Sequence, residues 1–273
     1  MLRKIHSICH SLLSSLEIIA VLTGSKKNCR IIMQNEKELS SFLKDSGLLY
    51  AVSDFSVQMK KDGGADFSNK GITGAEGFSV AYISKNQKTA EEAKMMEKHG
   101  NHRALGHLLG YPSCCCDFFE KHIVKGNYDL TADVAHSTPD YIFPWQTNIC
   151  LRCFDMALLS HFPCSFRCSE SIRLAEQNLL ALDMLDRDMG NLLRKSLKTA
   201  VIYAEGVGVY ALPRLTLQLN TASYNPQHII PSARNSFFDL LSEQQSITVL
   251  SSTHFFVGKV NVEDERTFFA LFV

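Results

Sequence analysis

Cysteine placement constrains this chain more than any other feature. Nine cysteines occur in 273 residues, and seven of them fall between Cys114 and Cys168. Six of the ten histidines lie between His99 and His161, so one window of 70 residues carries 13 of the 19 thiol and imidazole side chains. An odd total excludes a complete set of intrachain disulfides, and clustering is not how staples are spread over a small oxidised scaffold. The pattern predicts a reduced, cytoplasmic protein with metal or thiol chemistry in its middle. Beyond Ala200 there is no cysteine at all, so that part reads as scaffold or substrate wall.

Charge narrows the partners. Lys plus Arg and Asp plus Glu are both 28, and without a basic excess a nucleic-acid partner is not expected. Arg3 and Lys4 precede an apolar stretch that ends near Leu22, but His6, His10 and Glu17 interrupt it and no small-residue cleavage site follows. A signal peptide or a membrane span is a poor fit. Ile5, Ile8, Leu12, Leu16 and Ile19 recur at helical spacing, which predicts one amphipathic helix packed on the body.

The hydrophobic periods predict an α+β fold, with a helical central region carrying the cysteines and strands on both sides in sequence. Strands are expected at Cys29–Met33, Leu48–Ser53, Phe55–Lys60 and Phe78–Ser84, and a helix at Glu36–Lys44. Asp62–Gly77 reads as a loop, and its glycines form no phosphate-binding pattern. Further helices are expected at Thr89–Leu109 (with Thr89 as N-cap), Ser113–Lys125, Gln146–Ser160 and Ser165–Lys198. A mostly antiparallel C-terminal sheet is expected from Ala200–Glu205, Gly208–Leu212, Leu215–Leu219, Ser246–Leu250, Phe255–Val260 and Thr267–Val273, with Glu263–Glu265 as a turn. Residues 1–200 then form an α+β cysteine-rich part with its N-terminal helix. Residues 201–273 form a β-rich part packed on it as one unit.

The run His161-Phe-Pro-Cys164-Ser-Phe-Arg-Cys168 is the strongest local signal. If helical, Cys164 and Cys168 share a face one turn apart, and His161, before Pro163, can fold back toward it. A helix N-terminus favours the thiolate form that ligates metals. Cys114, Cys115 and Cys116 stand at another helix start, but three consecutive helical residues point about 100° apart, so at most two can face one ion. Bringing the two starts together sets Cys114 and Cys115 opposite Cys164 and Cys168, a four-thiolate set for zinc or an iron–sulfur cluster. Cys150 and Cys153 also read C-x-x-C, yet Ile149, Cys153, Met156, Ala157 and Ser160 fit one helical stripe, which favours core packing.

The runs Leu108–Phe119 and His161–Ser171 resemble the prokaryotic family grouped as domain of unknown function 483, over roughly residues 78–175. The resemblance rests on a Gly-Tyr/Ile-Pro-x-Cys-Cys element, here Gly110–Cys115, and a His-x-Pro-Cys element, here His161–Cys164. It implies no named reaction. Cys116 departs from that pattern, in which an apolar residue is usual, and Cys150 and Cys153 lie outside it. The resemblance therefore ranks Cys116 last of the three consecutive cysteines as a ligand and supports Cys150 and Cys153 as core.

Three functional expectations follow. The first is a metalloenzyme whose 4Fe–4S cluster, favoured over zinc because its ligands are thiolates from distant segments, serves sulfur transfer, redox chemistry or maturation of a small molecule or peptide. His161 would be a further ligand or the acid/base group, and a redox or sulfur-donor protein would be a partner. The second is a binding protein with a structural zinc site holding two helices together. The third is a metal-free thiol enzyme with Cys115 or Cys164 as nucleophile and His161 as base. His102 and His107 could add acid/base function, or form a solvated helix face. Asn148 and Ser165 could orient a substrate or hydrogen-bond sulfur, and Phe143 and Trp145 could cover a pocket or pack in the core.

Overall fold

A computed structural model describes residues 1–58, 72–74, 77–123, 129–138 and 140–273. Its order is α1 (Leu2–Cys9), α2 (Leu12–Thr23), β1 (Asn28–Ile32), α3 (Glu36–Asp45), β2 (Leu49–Gln58), β3 (Ile72–Gly74) and β4 (Phe78–Ser84). The helical middle follows as α4 (Gln87–Lys98), α5 (His102–Leu108), α6 (Ser113–His122) and α7 (Thr131–His136). Strand β5 (Ile142–Phe143) and 3-10 turns at Trp145–Thr147 and Cys150–Phe154 lead to α8 (Ser169–Leu185) and α9 (Arg187–Leu197). The remainder is β6 (Ala200–Ala204), β7 (Gly208–Leu212), β8 (Thr216–Gln218), β9 (Thr221–Ser223), β10 (Ile230–Pro231), α10 (Ser236–Glu243), β11 (Ser246–Val249), β12 (His254–Val257), β13 (Val260–Glu263) and β14 (Thr267–Phe272). The fold is α+β, as expected.

Three sheets organise it. The first runs β1-β4-β2-β3, all antiparallel, and the third runs β13-β12-β11-β9-β8. The middle sheet, β10-β7-β6-β14-β5, takes one strand from far upstream: β5 lies parallel to β14, with Leu271 opposite Ile142. Both faces of this middle sheet are apolar. Val201, Tyr203, Val209, Ala211, Phe268 and Ala270 join the main core, which reaches back to Leu2 and Ile5. Their sequence neighbours Ala200, Ile202, Tyr210, Leu212 and Phe269 join a second core closed by the third sheet and α10. Side chains alternate along a strand, so one sheet serves two cores.

Several expected elements are broken by capping chemistry. The single N-terminal helix becomes two because His10 turns left-handed (φ 50°) and Ser11 N-caps α2, accepting the Ser14 N–H at 3.2 Å. Asp155 accepts the Leu12 N–H at 2.5 Å and the Ser11 hydroxyl at 2.9 Å. The helix expected over Thr89–Leu109 starts earlier, capped by Asn86, and divides at Gly100 (φ 67°), after which Asn101 caps α5. The long helix expected from Ser165 starts at Ser169 and divides at Asp186, which caps α9.

The expected helix Gln146–Ser160 is absent. In its place are the two 3-10 turns, with Asp155 at φ 57°, and an irregular segment whose carbonyls are taken by side chains. Asn178 Nδ2 donates to Leu158 O at 2.7 Å, and the Arg152 guanidinium donates to the Leu159 and His161 carbonyls. The strands expected at Leu48–Ser53 and Phe55–Lys60 are one strand, β2, whose register shifts between Val52 and Ser56. Most of the expected Asp62–Gly77 loop lies outside the described residues, though Ile72–Gly74 pairs with β2. The end of the expected helix at Lys125 also lies outside them. Phe255–Val260 is a hairpin of β12 and β13 rather than one strand, and Glu263 closes β13 before the turn into β14. Strands β9 and β10 and helix α10 were not expected. Among the described residues no helix is long and apolar enough to cross a membrane.

Candidate metal centre

The turn Gly110-Tyr111-Pro112 delivers the first pair of thiols. Gly110 is left-handed (φ 74°), Tyr111 N–H donates to Gly106 O at 3.0 Å, and Pro112 O accepts the first helical N–H groups of α6, from Cys115 at 2.9 Å and Cys116 at 3.0 Å. Cys114 and Cys115 thus sit in the first turn of a helix, where the dipole favours anions. Helix α5 packs close behind: a Cβ on Gly106 would stand 2.6 Å from Cys116 Sγ. Cys116 fills that gap, buried, with its sulfur 3.8 Å from Tyr111 O.

The second pair is placed by a turn, not by a helix face. Phe166 is fully buried among Phe143, Phe268 and Phe272. Its N–H donates to Thr138 Oγ1 at 3.0 Å and its carbonyl accepts from Thr147 Oγ1 at 2.6 Å. That anchor fixes the turn Cys164–Cys168, closed by Cys168 N–H to Ser165 O at 3.1 Å. Cys168 is the N-cap of α8. The expected helical stacking of Cys164 on Cys168 is therefore corrected: they converge because the chain turns between them.

The four expected thiols meet. Sulfur atoms of Cys114, Cys115, Cys164 and Cys168 all lie within 4.8 Å of one another. Cys114 to Cys115 is 3.9 Å, Cys114 to Cys168 is 3.7 Å, and Cys115 to Cys168 is 3.7 Å. This group could hold a metal ion. Cys115 and Cys168 are buried, Cys164 is half-buried and Cys114 is exposed. Cys115 Sγ also accepts the Cys164 N–H at 3.3 Å and touches Ser171 Oγ at 3.3 Å.

Without a metal the thiols share protons unevenly. Hydrogen bonds from Cys115 and Cys164, then from the Ser171 hydroxyl and N–H at the start of α8, hold Cys168 well below the usual thiol range despite burial. Cys115 is pushed up because its S–H bonds to Cys164 and Cys168 favour the neutral form and burial adds to this. Cys164 ends at about 12: its bond with Cys115 lowers it, but its bond to Cys168 and burial outweigh that. Cys116 is pushed up to about 11, mainly by burial.

His161 lies one hydrogen bond away from the sulfur group. Its Nε2 meets Ser171 Oγ at 2.9 Å, its ring stacks on Tyr111 with centroids 5.0 Å apart, and its Nδ1 is buried without a partner. Burial, then the Lys26 and Arg152 charges, push it down to about 3. It is neutral at physiological pH and is not one of the grouped ligand atoms. Sequence reasoning missed Ser171, which bridges His161 and Cys115; its position three residues after an N-capping cysteine was the available signal. It also missed the buried pair Glu17 and Lys26, in which Nζ donates to both carboxylate oxygens at 2.6 and 2.7 Å. Lys26 stands over the Tyr111 ring at 4.8 Å, and Ser160 donates to Glu17 at 2.6 Å.

The remaining candidates take structural places. Cys150 is buried in the main core and Cys153 packs against it, so core packing holds although the helix does not. Asn148 donates to Leu197 O at 2.9 Å, and the Ser165 hydroxyl accepts the Arg167 N–H at 3.2 Å. His102 packs edge-on against Phe119 and His107 is exposed. Phe143 is core, and Trp145 is partly buried against it. A groove of 360 Å³ between α1 and α9 is lined by Arg3, His6, Asp186 and Asp188 and by none of the four cysteines. Comparison of the chain with family models, with curated proteins and with solved structures finds no match.

Proposed function

We propose that Cys114, Cys115, Cys164 and Cys168 hold a single zinc ion in a four-thiolate shell that ties the start of α6 to the turn before α8. The sulfur separations carry this reading. Four thiolates at about 2.3 Å from one ion in a tetrahedron stand about 3.8 Å from each other, and three of the pairs are at 3.7, 3.7 and 3.9 Å. In a 4Fe–4S cube each thiolate binds a different iron and points outward, so the terminal sulfurs stand about 6 Å apart. Separations within 4.8 Å favour one ion over the cluster expected first. The two elements that carry the resemblance to the domain of unknown function 483 family supply three of these four ligands.

The surrounding groups suit a thiolate site. A metal-bound Cys115 has no proton, so Ser171 would donate its hydroxyl hydrogen to that sulfur. His161 would then donate Nε2–H to Ser171, leaving Nδ1 as the bare ring nitrogen. Such outer partners orient and tune ligands. Zinc would supply a cross-link between segments about 50 residues apart, in the manner of closed structural sites. The test is metal analysis of protein purified without added metal, followed by cobalt(II) exchange. One zinc per chain and the strong visible bands of a tetrahedral cobalt tetrathiolate are expected. Brown protein with inorganic sulfide and several irons per chain would overturn the reading in favour of a cluster.

A further inference from the structure

The four thiolates of this site are not equivalent, and the difference has a chemical consequence. We infer that Cys114 is a metal-held nucleophile that accepts an alkyl group from soft carbon electrophiles. The inference rests on the proposed zinc site and adds a reactivity to it. Cys114 is the exposed member of the four, whereas Cys115 and Cys168 are buried. Hydrogen bonds to a ligating sulfur withdraw the charge that would attack an electrophile. Cys115 accepts an N–H from Cys164 and contacts the Ser171 hydroxyl, both at 3.3 Å. Cys168 is buried at the N-cap of α8, where the helix dipole draws on its negative charge. Among the described residues the hydrogen-bond contacts of Cys114 Sγ are to sulfur, at 3.9 and 3.7 Å, and to no N–H or hydroxyl group.

Charge acts in the same direction. Four thiolates around one divalent ion leave a net charge of −2, so the centre is electron-rich and its open thiolate keeps its nucleophilicity. The step is a displacement: Cys114 Sγ forms a bond to carbon, and the bond from carbon to the leaving group breaks, with the leaving group taking the electron pair. No base is needed because the metal already holds the sulfur deprotonated, which suits a site whose histidine is buried and bound to Ser171. The thioether product is a neutral, weak ligand, so the centre becomes less negative by one charge. No oxidant or reductant enters the balance.

The test is alkylation of the zinc-loaded protein by limiting iodoacetamide, with zinc content measured and the adducts mapped by mass spectrometry. The first adduct is expected on Cys114, about tenfold ahead of the other cysteines, at a rate nearly constant from about pH 6 to 9. Exposure alone would also select Cys114, but below its pKa an ordinary thiol would react about tenfold faster for each unit that the pH is raised. Such a rise, or adducts spread evenly over the four cysteines, overturns the inference while leaving the zinc site standing. Protein that binds no metal overturns both. In Cys114→Ser the pH-independent phase should vanish. If that variant does not fold, the mapping and pH profile of the unaltered protein decide.

Discussion

Replacing Glu17 by Gln removes one charge from a pair that has almost no access to water, with side chains 5% and 2% exposed for Glu17 and Lys26. At a separation of 2.6 Å the attraction is about 6 kcal/mol with an effective dielectric constant near 20. The Gln carbonyl still accepts a hydrogen bond from the ammonium, worth about 1.5–3 kcal/mol, so the net loss is about 3–5 kcal/mol, as found when one partner of a buried pair is removed. Lys26 keeps that hydrogen bond and the Tyr111 ring beneath it but has no counter-charge, and Ser160 loses its carboxylate acceptor. The double variant Glu17→Gln with Lys26→Met buries no charge and should lose less than the single change, giving a coupling above about 2 kcal/mol. Urea unfolding at pH 7 measures both. Raising the pH should shrink the single-variant loss, because an unpaired buried lysine escapes its penalty by deprotonating. A Glu17→Gln loss below about 1 kcal/mol, or a double variant worse than the sum of the singles, would refute the reasoning.

Three further outcomes are expected. Cys168→Ala should abolish zinc binding while Cys150→Ala keeps one zinc per chain but loses about 1–3 kcal/mol of stability, read by metal analysis and urea titration. Gly106→Ala should cost about 1–3 kcal/mol, because its methyl group would stand 2.6 Å from Cys116 Sγ; pairing it with Cys116→Ala should recover most of that loss in thermal unfolding. His161 is depressed to about 3 when folded, from 6.5, so its contribution is present above pH 6.5 and is lost as the pH falls toward 3, the unfolded chain binding the proton first. Between pH 7 and 4.5 this amounts to about 2.5 kcal/mol, so His161→Phe should lose that much less stability than the unaltered protein over the same interval in urea titrations.

The four-cysteine group was legible because each pair stood beside a proline, Pro112 or Pro163. Its geometry was not. Cys164 and Cys168 are four residues apart, which fits a helix as well as a turn, and the choice is made by Phe166, whose burial depends on strands a hundred residues further on. The choice between one ion and a cluster depends on sulfur separations, a tertiary quantity that spacing does not encode. His161 was drawn into the site by its place in the motif, whereas its partner is Ser171. Glu17 was visible as a charge within an apolar helix, but its partner nine residues later sits beyond the helix, in the turn before β1. Helix periodicity also failed where a side chain within an expected helix captured a backbone N–H, at Ser11, Asn101, Asp155 and Asp186.

The middle sheet carries a hazard that its two cores create. In a sheet with one wet face, sliding a strand by one residue exposes its apolar set and is strongly penalised. Here both faces of β6, β7 and β14 are dry, so the same slip exchanges one buried apolar set for another and solvent does not oppose it. Discrimination falls instead to the few polar tips within the strands. Tyr203 reaches Asp129 at 2.8 Å on one face, and Tyr210 reaches Asn235 at 2.8 Å on the other. A shifted β6 or β7 would turn a phenol into the wrong core with no acceptor. Two hydroxyl groups thus act as alignment pins for a sheet whose hydrophobic pattern alone would tolerate misalignment.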